Sequence, residues 1–260
     1  MQNRIDQLFE KKNKNILSVY FTAGFPGLDD TVKIICELQD NGVDLIEIGM
    51  PFSDPTADGP TLQYSNNIAL KNGMSLRVLF KQLEDIREKV NIPLILMGYT
   101  NPVIQFGVEA FCTKCKETGI DGIILPDLPL EEYKQNYSEL FNNYDLYNIL
   151  LVSPNTKPER IVQIDSASKG FIYIVSSAST TGAGKKSEDF SIDYFQRLQG
   201  MRLKNPGLIG FGISDRATFE NACNYAQGAI VGSAFIDALK QDSDFTGSIK
   251  KFVNKIRGMS

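Results

Sequence analysis

The amino-acid sequence predicts an α/β protein folded as a (β/α)8 TIM barrel, and three observations lead to that fold. The chain has 260 residues, close to the roughly 250 residues that one such barrel needs. Eight short apolar runs alternate with longer amphipathic stretches, which is the order expected for parallel strands connected by helices. No Pro-, Gly- or Ser-rich linker divides the chain, so residues 1–260 are predicted to form a single domain. The alternative, a doubly wound open sheet, would be expected to show fewer strands or an obvious second domain.

The eight apolar runs are predicted to be the strands of the barrel. Their continuous apolar, β-branched character is typical of parallel strands that are covered on both faces. In chain order they comprise residues 16–21, 43–48, 93–97, 122–125, 148–152, 171–175, 207–211 and 228–231.

Helical periodicity fills the intervals between these strands. In residues 75–90, for example, apolar side chains recur at three- and four-residue spacing. The helices predicted to follow the strands comprise residues 29–40, 75–90, 108–118, 130–142, 158–167, 189–204, 216–225 and 244–257. Two extra helices are predicted: residues 3–12 precede the first strand, and the short segment 234–240 follows the eighth.

The composition excludes several classes of function. A net charge of −4 argues against a nucleic-acid-binding protein, which normally carries a basic face. The apolar runs are far shorter than the roughly 20 residues of a membrane-spanning helix, and the polar start MQNRIDQLFEKK has no signal-peptide core, so we expect a cytoplasmic protein without membrane contact. The absence of histidine excludes a Ser-His-Asp triad and any metal site that contains histidine. Cys112 and Cys115 form a lone C-x-x-C pair on a predicted helix, which indicates buried thiols rather than a zinc site.

The loop after the second strand carries the first candidate catalytic groups, because active sites in these barrels lie at the C-terminal ends of the strands. Alternation along residues 43–48 directs Glu47 into the barrel. A carboxyl group in an apolar interior has a raised pKa, which suits a residue that both gives and takes protons. The alternative is a glutamate at a frayed strand end that reaches solvent. Asp54 and Asp58 follow in a loop that is stiffened by prolines. The residues alone do not choose between them, and either aspartate could simply cap a turn.

The loops after the seventh and eighth strands predict a phosphate-binding site. Barrels of this kind often bind phosphate with these two loops and the N-terminus of a short extra helix. Gly212, Gly232 and Ser233 are small enough for a phosphate to approach the main-chain N–H groups closely. The alternative is a pair of tight turns with helix caps.

Two further features favour an enclosed site for an aromatic ligand. Residues 176–188, after the sixth strand, are rich in small side chains and glycine, which is typical of a lid that excludes water; the alternative is an ordinary disordered loop. Aromatic residues also gather near the strand ends, namely Tyr20, Phe21, Tyr99, Tyr173 and Phe211.

Taken together, these segments resemble the α subunit of tryptophan synthase over essentially the whole chain. The most specific segment is the string E-x-G-x-P-F-S-D-P-x-A-D-G-P at residues 47–60, and segments 20–26, 97–102, 126–129, 181–182, 210–214 and 230–234 agree with it. The resemblance implies a lyase of tryptophan biosynthesis that cleaves indole-3-glycerol phosphate to indole and glyceraldehyde 3-phosphate by a retro-aldol reaction. It also implies that Glu47 and Asp58, rather than Asp54, are the catalytic pair.

The resemblance further implies the ligand contacts and the partner. Phosphate would be bound by main-chain groups at Gly182, Gly212, Gly232 and Ser233. The indole ring would lie against Tyr20, Tyr99, Ile124, Tyr173 and Phe211, and Thr181 on the lid would contact Asp58. This chain would need no cofactor or metal, because pyridoxal phosphate belongs to the β subunit of the family's α2β2 tetramer, which receives the indole through a tunnel. Two positions depart from the family: Thr56 stands where leucine is usual, and Tyr20 where phenylalanine is frequent.

Three rival functions are considered beside this one. Another phosphate-binding barrel enzyme, such as indole-glycerol-phosphate synthase or a sugar-phosphate isomerase, would be expected to use lysine at its strand ends, where this chain has none. A non-catalytic barrel subunit would be expected to lack Glu47 or Asp58, and both are present. The third rival is a stand-alone lyase that releases free indole.

Overall fold

The strands form one parallel sheet. The computed structural model describes residues 2–176, 192–210, 212–240 and 245–259. Within these ranges the strands are β1 (Ile16–Thr22), β2 (Leu45–Gly49), β3 (Leu94–Met97), β4 (Gly122–Ile124), β5 (Tyr147–Asn148), β6 (Leu150–Val152), β7 (Ile172–Val175), β8 (Gly207–Gly210) and β9 (Gly228–Val231). Hydrogen bonds order them β5-β4-β3-β2-β1-β9-β8-β7-β6, and every neighbouring pair is parallel.

The two ends of the sheet, β5 and β6, are consecutive in the chain, and only Ile149 separates them. The Ile149 N–H donates to the carbonyl oxygen of Ile123 in β4 at 3.0 Å, whereas Leu150 is aligned with Ile172 of β7. The segment therefore leaves one neighbour and joins the other at Ile149, so the prediction of a single strand at residues 148–152 is wrong in detail. Because β5 and β6 together occupy one strand position, the sheet closes into eight positions, and the predicted (β/α)8 fold is confirmed.

Helices cover the outside of the barrel. They are α1 (Arg4–Lys11), α2 (Thr31–Asp40), α3 (Pro60–Lys71), α4 (Leu76–Gln82), α5 (Thr100–Phe106), α6 (Val108–Thr118), α7 (Leu130–Glu132), α8 (Ser138–Asn143), α9 (Pro158–Ala167), α10 (Ile192–Gly200), α11 (Arg216–Tyr225), α12 (Ser233–Lys240) and α13 (Phe245–Arg257). Helices α6, α9 and α11 have the predicted bounds. Among the described residues, no helix is both long enough and apolar enough to cross a membrane.

The helical layer departs from the prediction in several places. Periodicity does not predict α3 or α5. The helix predicted at residues 75–90 ends at Gln82, and the Arg87 guanidinium donates to the carbonyl oxygens of Val90 at 3.2 Å and Ile92 at 2.7 Å, which stabilises the irregular chain that follows. A π-helix at Tyr133–Tyr137 interrupts the helix predicted at residues 130–142.

The barrel interior is a packed apolar core. Inward-facing residues of the strands, or directly next to a strand, fill it, namely Ile16, Leu45, Ile95, Ile124, Ile149, Phe171, Tyr173, Leu208 and Ile230. Ile5 of α1 is fully buried among them, so the predicted extra N-terminal helix closes the N-terminal end of the barrel. Asn3 caps this helix, since its Oδ1 accepts from the Ile5 N–H at 2.9 Å. A larger apolar cluster lies between the strands and the surrounding helices.

A buried charge cluster ties elements together at this closed end. Asp121, just before β4, is only 3% exposed. Arg4 of α1 and Arg87 form ion pairs with it at 2.9 and 2.6 Å. Its Oδ2 also accepts from the Leu94 N–H of β3 at 2.9 Å. Since α1 and this cluster cover the N-terminal ends of the strands, the open end of the barrel is the C-terminal end, where the predicted site residues lie.

Candidate active site

Strand β2 directs Glu47 into the barrel interior, as the alternation of the strand predicts. Glu47 is fully buried, so the alternative of a solvent-exposed glutamate is excluded. Its Oε1 accepts a hydrogen bond from Ser18 Oγ at 2.8 Å, and its Oε2 has no hydrogen-bond partner among the described residues. Burial raises the pKa of Glu47 to about 8, although the hydrogen bond from Ser18 opposes this shift. The group is therefore protonated at neutral pH, and one of its oxygens is available to another partner.

The two aspartates that the sequence leaves undecided occupy different environments. Asp54 is exposed and accepts a hydrogen bond from Ser53 Oγ at 2.5 Å. Asp58 is half-buried, and its Oδ2 accepts from Asn66 Nδ2 of α3 at 3.2 Å. Burial raises the pKa of Asp58 to about 6, against the opposing effect of hydrogen bonds from Asn66 and Tyr99. Only Asp58 of the two thus lies against the aromatic side chains at the end of the barrel.

Two hydrogen bonds at the C-terminal end of the loop between β2 and α3 hold Asp58 in this position. The Ala57 N–H donates to Tyr99 Oη at 3.0 Å, and Gln63 Nε2 donates to the Asp58 carbonyl oxygen at 2.9 Å. Thr56, which departs from the family pattern, is exposed. Its side chain is therefore outside the packing around Asp58.

Four of the predicted indole contacts are brought together in the interior: Tyr20, Tyr99, Ile124 and Tyr173 are all buried. Two of the rings lie across glycines of adjacent strands. A Cβ atom added to Gly49 would lie 2.3 Å from Tyr20 Oη, and one added to Gly210 would lie 2.3 Å from Tyr173 Oη. Phe21 belongs to the cluster between the sheet and the helices, so the expectation that it lies among the aromatic residues of the site is wrong. Phe21 follows Tyr20 directly in β1, so its side chain points to the opposite face of the sheet.

Burial and the neighbouring carboxyl groups both raise the pKa values of two of these tyrosines. Burial, followed by the negative charges of Asp58 and Glu47, raises the pKa of Tyr20. Burial, followed by Glu47, Tyr20 and Asp58, raises the pKa of Tyr173. The Thr22 side chain opposes this rise in the pKa of the Tyr20 hydroxyl, a group that a phenylalanine would lack.

The described part of the predicted phosphate site lies at the same end of the barrel. Gly212 has a φ of +76°, a left-handed conformation that favours glycine. The Gly232 carbonyl oxygen accepts from the N–H groups of Phe235 at 2.9 Å and Ile236 at 3.0 Å, so α12 opens at Ser233 immediately after β9. A Cβ atom on Gly232 would lie 3.6 Å from Tyr20 Cβ. The first N–H groups of a helix have no partner within the helix and attract anions, and here they adjoin the aromatic interior.

Comparison with known proteins identifies the family. The family model described as tryptophan synthase alpha chain matches residues 7–259. The chain belongs to the tryptophan synthase alpha chain family. It is 55% identical to the alpha chain of Flavobacterium psychrophilum over 254 residues, which cover 98% of this chain and 99% of that relative. It is 49% identical to the alpha chain of Bacteroides thetaiotaomicron over 255 residues, which cover 98% of this chain and all of the relative.

Solved structures agree with this membership. The tryptophan synthase alpha subunit of Legionella pneumophila superposes with a TM-score of 0.88 at 33% identity, covering 99% of this chain and 98% of that chain. A chain of Mycobacterium tuberculosis tryptophan synthase superposes with a TM-score of 0.88 at 30% identity and the same coverage. Membership confirms the predicted function: this alpha chain is a lyase of tryptophan biosynthesis that cleaves indole-3-glycerol phosphate.

Three predicted contacts of this alpha chain, Thr181, Gly182 and Phe211, lie outside the described residues, as does most of the predicted lid. Two polar contacts in the site are absent from the sequence-based prediction. Asn66 lies on α3, which the periodicity does not predict. Ser18 lies two residues before Tyr20 in β1 and therefore on the same face of the strand, so the alternation along β1 could have predicted its place in the interior.

Within the described ranges, no group of three cysteine, aspartate or glutamate side chains is arranged to hold a metal ion. All four cysteines are free thiols, and three of them are buried.

Proposed function

We propose that Glu47 and Asp58 are the residues that catalyse the cleavage of indole-3-glycerol phosphate in this alpha chain. One observation carries the assignment: Glu47 is fully buried at the end of β2, with a raised pKa and one carboxyl oxygen without a partner among the described residues. An uncharged carboxyl group beside buried tyrosines is suited to transfer protons to and from an enclosed aromatic substrate.

Two proton transfers are required for the cleavage. Protonation at C3 of the indole turns the ring into an electron sink. The hydroxyl group on the carbon joined to the ring must then lose its proton as the carbon–carbon bond breaks, which leaves an aldehyde and free indole. With a pKa of about 8, Glu47 holds the first proton at neutral pH. The carboxylate that remains is the base for the second transfer, so one residue serves both steps.

Asp58 has the complementary task in this proposal. Its pKa of about 6 leaves it ionised at a pH where Glu47 is still protonated. A carboxylate accepts the indole N–H as positive charge develops on the ring nitrogen during protonation at C3. Two carboxyl groups whose surroundings separate their pKa values are the arrangement expected of an acid and its charged partner.

The proposed substrate contacts follow from the same geometry. The indole ring lies against Tyr20, Tyr99, Ile124 and Tyr173, which share the interior with Glu47. Main-chain groups at Gly212, Gly232 and Ser233 bind the phosphate, supported by the left-handed turn at Gly212 and the start of α12. The proposal also includes Phe211 on the ring, Gly182 on the phosphate, and Thr181 in contact with Asp58.

We also propose the partner and the setting of the reaction. The cleavage uses only proton transfers, so this chain needs no cofactor or metal of its own. The partner is the tryptophan synthase β subunit in an α2β2 tetramer, and pyridoxal phosphate belongs to that subunit. The cytoplasm is the proposed compartment, since the four free thiols suit a reducing environment.

The test measures indole release from indole-3-glycerol phosphate by wild type, Glu47→Gln and Asp58→Asn, with and without a β subunit. General acid–base groups contribute about 10²- to 10⁴-fold to a rate, so kcat should fall by this amount in Glu47→Gln. Asp54→Asn changes an exposed carboxylate in the same loop and should keep the wild-type rate. The proposal is wrong if wild type with its β subunit releases no indole or if Glu47→Gln keeps the full rate. A rate that the β subunit leaves unchanged would instead favour a stand-alone lyase.

A further inference from the structure

We propose that Ser18 is a positioning residue that orients the Glu47 carboxyl group for both proton transfers. This inference rests on the proposed role of Glu47 and adds the residue that holds it. Ser18 Oγ donates to Glu47 Oε1 at 2.8 Å, and both side chains are fully buried. Among the described residues this is the only hydrogen bond of the carboxyl group, because Oε2 has no partner there.

The strand register shows in which direction this contact draws the carboxyl group. Glu47 of β2 is aligned with Tyr20 of β1, whereas Ser18 is aligned with Leu45. The hydrogen bond therefore joins Glu47 to a residue two positions earlier along the neighbouring strand, about 6–7 Å nearer the N-terminal end of the strand. One carboxyl oxygen is thus fixed toward the closed end, which leaves Oε2 as the oxygen that is free to reach a substrate.

A hydroxyl group suits a residue that changes its protonation state during the reaction. It has one proton to donate and lone pairs to accept. Ser18 can donate to Oε1 in the carboxylate form of Glu47, and equally to Oε1 of the carboxylic acid form whose proton lies on Oε2. A lysine at this place would carry a positive charge and would favour the carboxylate alone. Ser18 is thus able to hold the side chain in one orientation before and after each transfer.

Other titratable groups in this interior do not replace Ser18 in this role. The phenols of Tyr20 and Tyr173 have pKa values raised by burial first and by neighbouring carboxylates second, so they remain neutral in the working range. Asp58 is held by Asn66 and Tyr99 at the end of the barrel. Removing the Ser18 hydroxyl therefore leaves Glu47 without its hydrogen bond and raises its pKa further.

The experiment compares Ser18→Ala, Ser18→Cys and Ser18→Thr with wild type. Titration of the Glu47 carboxyl carbon is followed by 13C NMR in the ligand-free, full-length chain, and Glu47→Gln assigns the signal. Loss of a hydrogen bond to a charged group should raise the midpoint by about one pH unit in the alanine and cysteine variants. The kcat of indole release should fall roughly 10- to 100-fold with a smaller change in KM, because the carboxyl group is no longer held in the reactive orientation. The alkaline limb of the kcat profile should move up with the midpoint. Ser18→Thr keeps the hydroxyl and should restore both quantities.

The controls separate positioning from stability and from the proposed function itself. Ser168→Ala removes another buried serine, one that bonds to the backbone at Asn148 and Phe171, and should lower stability without moving the Glu47 midpoint. Ser18→Cys keeps the side-chain volume in case the alanine variant does not fold. A folded Ser18 variant with an unchanged midpoint, or a shifted midpoint with an unchanged kcat profile, would overturn the inference. Full activity in Glu47→Gln would overturn the proposed function instead, and the titration in the ligand-free chain would still report on the Ser18 contact.

Discussion

The raised pKa of Glu47 makes the free energy of unfolding fall as the pH rises, which is opposite to the effect of a carboxyl group in an ion pair. The pKa of Glu47 is about 8 in the folded chain, against an ordinary value of 4.5 for an unfolded one. Between these values the folded state keeps a proton that the unfolded state has released. The contribution is therefore fully present below pH 4.5 and is lost as the pH rises through 8. At 1.36 kcal/mol for each unit, the whole interval corresponds to roughly 5 kcal/mol.

Glu47→Gln tests this reasoning, because glutamine has a similar shape and cannot ionise. Its side-chain oxygen can still accept from Ser18, so the packing of the interior should be kept. Relative to this variant, wild type should lose about 3–5 kcal/mol of unfolding free energy between pH 5 and pH 8.5. Urea unfolding of both proteins at several pH values within this interval measures the difference.

The control for this comparison is Asp54→Asn, which removes an exposed carboxyl group from the nearby loop. Its stability difference from wild type should change little over the same interval. A difference between wild type and Glu47→Gln that stays constant with pH would refute the reasoning, because the folded chain would then hold no extra proton at residue 47.

Three further predictions concern activity and packing. The pH profile of kcat/KM, measured by steady-state assays, should be bell-shaped with limbs near pH 6 and pH 8, because Asp58 must be ionised and Glu47 protonated. Asp58→Asn should lower the rate and remove the acid limb, and an acid limb that persisted in this variant would contradict the assignment. Asp121→Asn should lower the free energy of unfolding by about 3–5 kcal/mol, because it removes the charge of a buried carboxylate and leaves the largely buried Arg87 guanidinium without its partner. A urea midpoint close to wild type would show that the cluster contributes little. Gly49→Ala should lower the free energy of unfolding by about 1–3 kcal/mol and raise KM, since its Cβ would lie 2.3 Å from Tyr20 Oη. Adding Tyr20→Phe should partly reverse both effects, and effects of equal size in the single and double variants would contradict the proposed clash.

The barrel could be predicted from the sequence because both faces of its strands are buried. All seven residues of β1 and all five of β2 are buried, so each strand is a continuous apolar run with only a few polar side chains. Such runs stand out from amphipathic helices without any knowledge of the tertiary structure. The interruption at Ile149 could not be predicted in this way, because it depends on which neighbouring strand each residue meets.

The unpredicted helices depend on contacts that are distant in sequence. The N-terminus of α5 is capped by Asp127, whose Oδ1 accepts from the Thr100 N–H and from Thr100 Oγ1, both at 2.9 Å. The N-cap residue Tyr99 makes no side-chain capping bond, so this helix start depends on a residue 27 positions later in the chain. The premature end of α4 similarly precedes a segment held by Arg87, whose partners include Asp121 across the next strand.

The candidate site shows the same division between local and tertiary information. The orientation of Glu47 follows from alternation within one strand, which leaves a side chain only two directions. The position of Asp58 depends on the path of a loop and on Asn66 of an unpredicted helix, so the aspartates could be separated only by resemblance to the family. Ser18 belongs to no motif, and its importance depends on the register between β1 and β2.

The separation of the two pKa values is a consequence of the packing that stabilises the barrel. Glu47 lies on a strand with both faces covered, and among the described residues it has a single hydrogen bond to offset the loss of water. Asp58 lies on a loop that leaves it half-exposed, and two donors stabilise its charge. Because burial is the largest cause of the Glu47 shift, a cavity beside Glu47 that admitted water would lower its pKa toward that of Asp58. The order in which the two groups lose their protons would then be lost without any change to either residue. Apolar side chains such as Leu45 and Ile95 therefore act on the proton chemistry through the same packing by which they stabilise the fold.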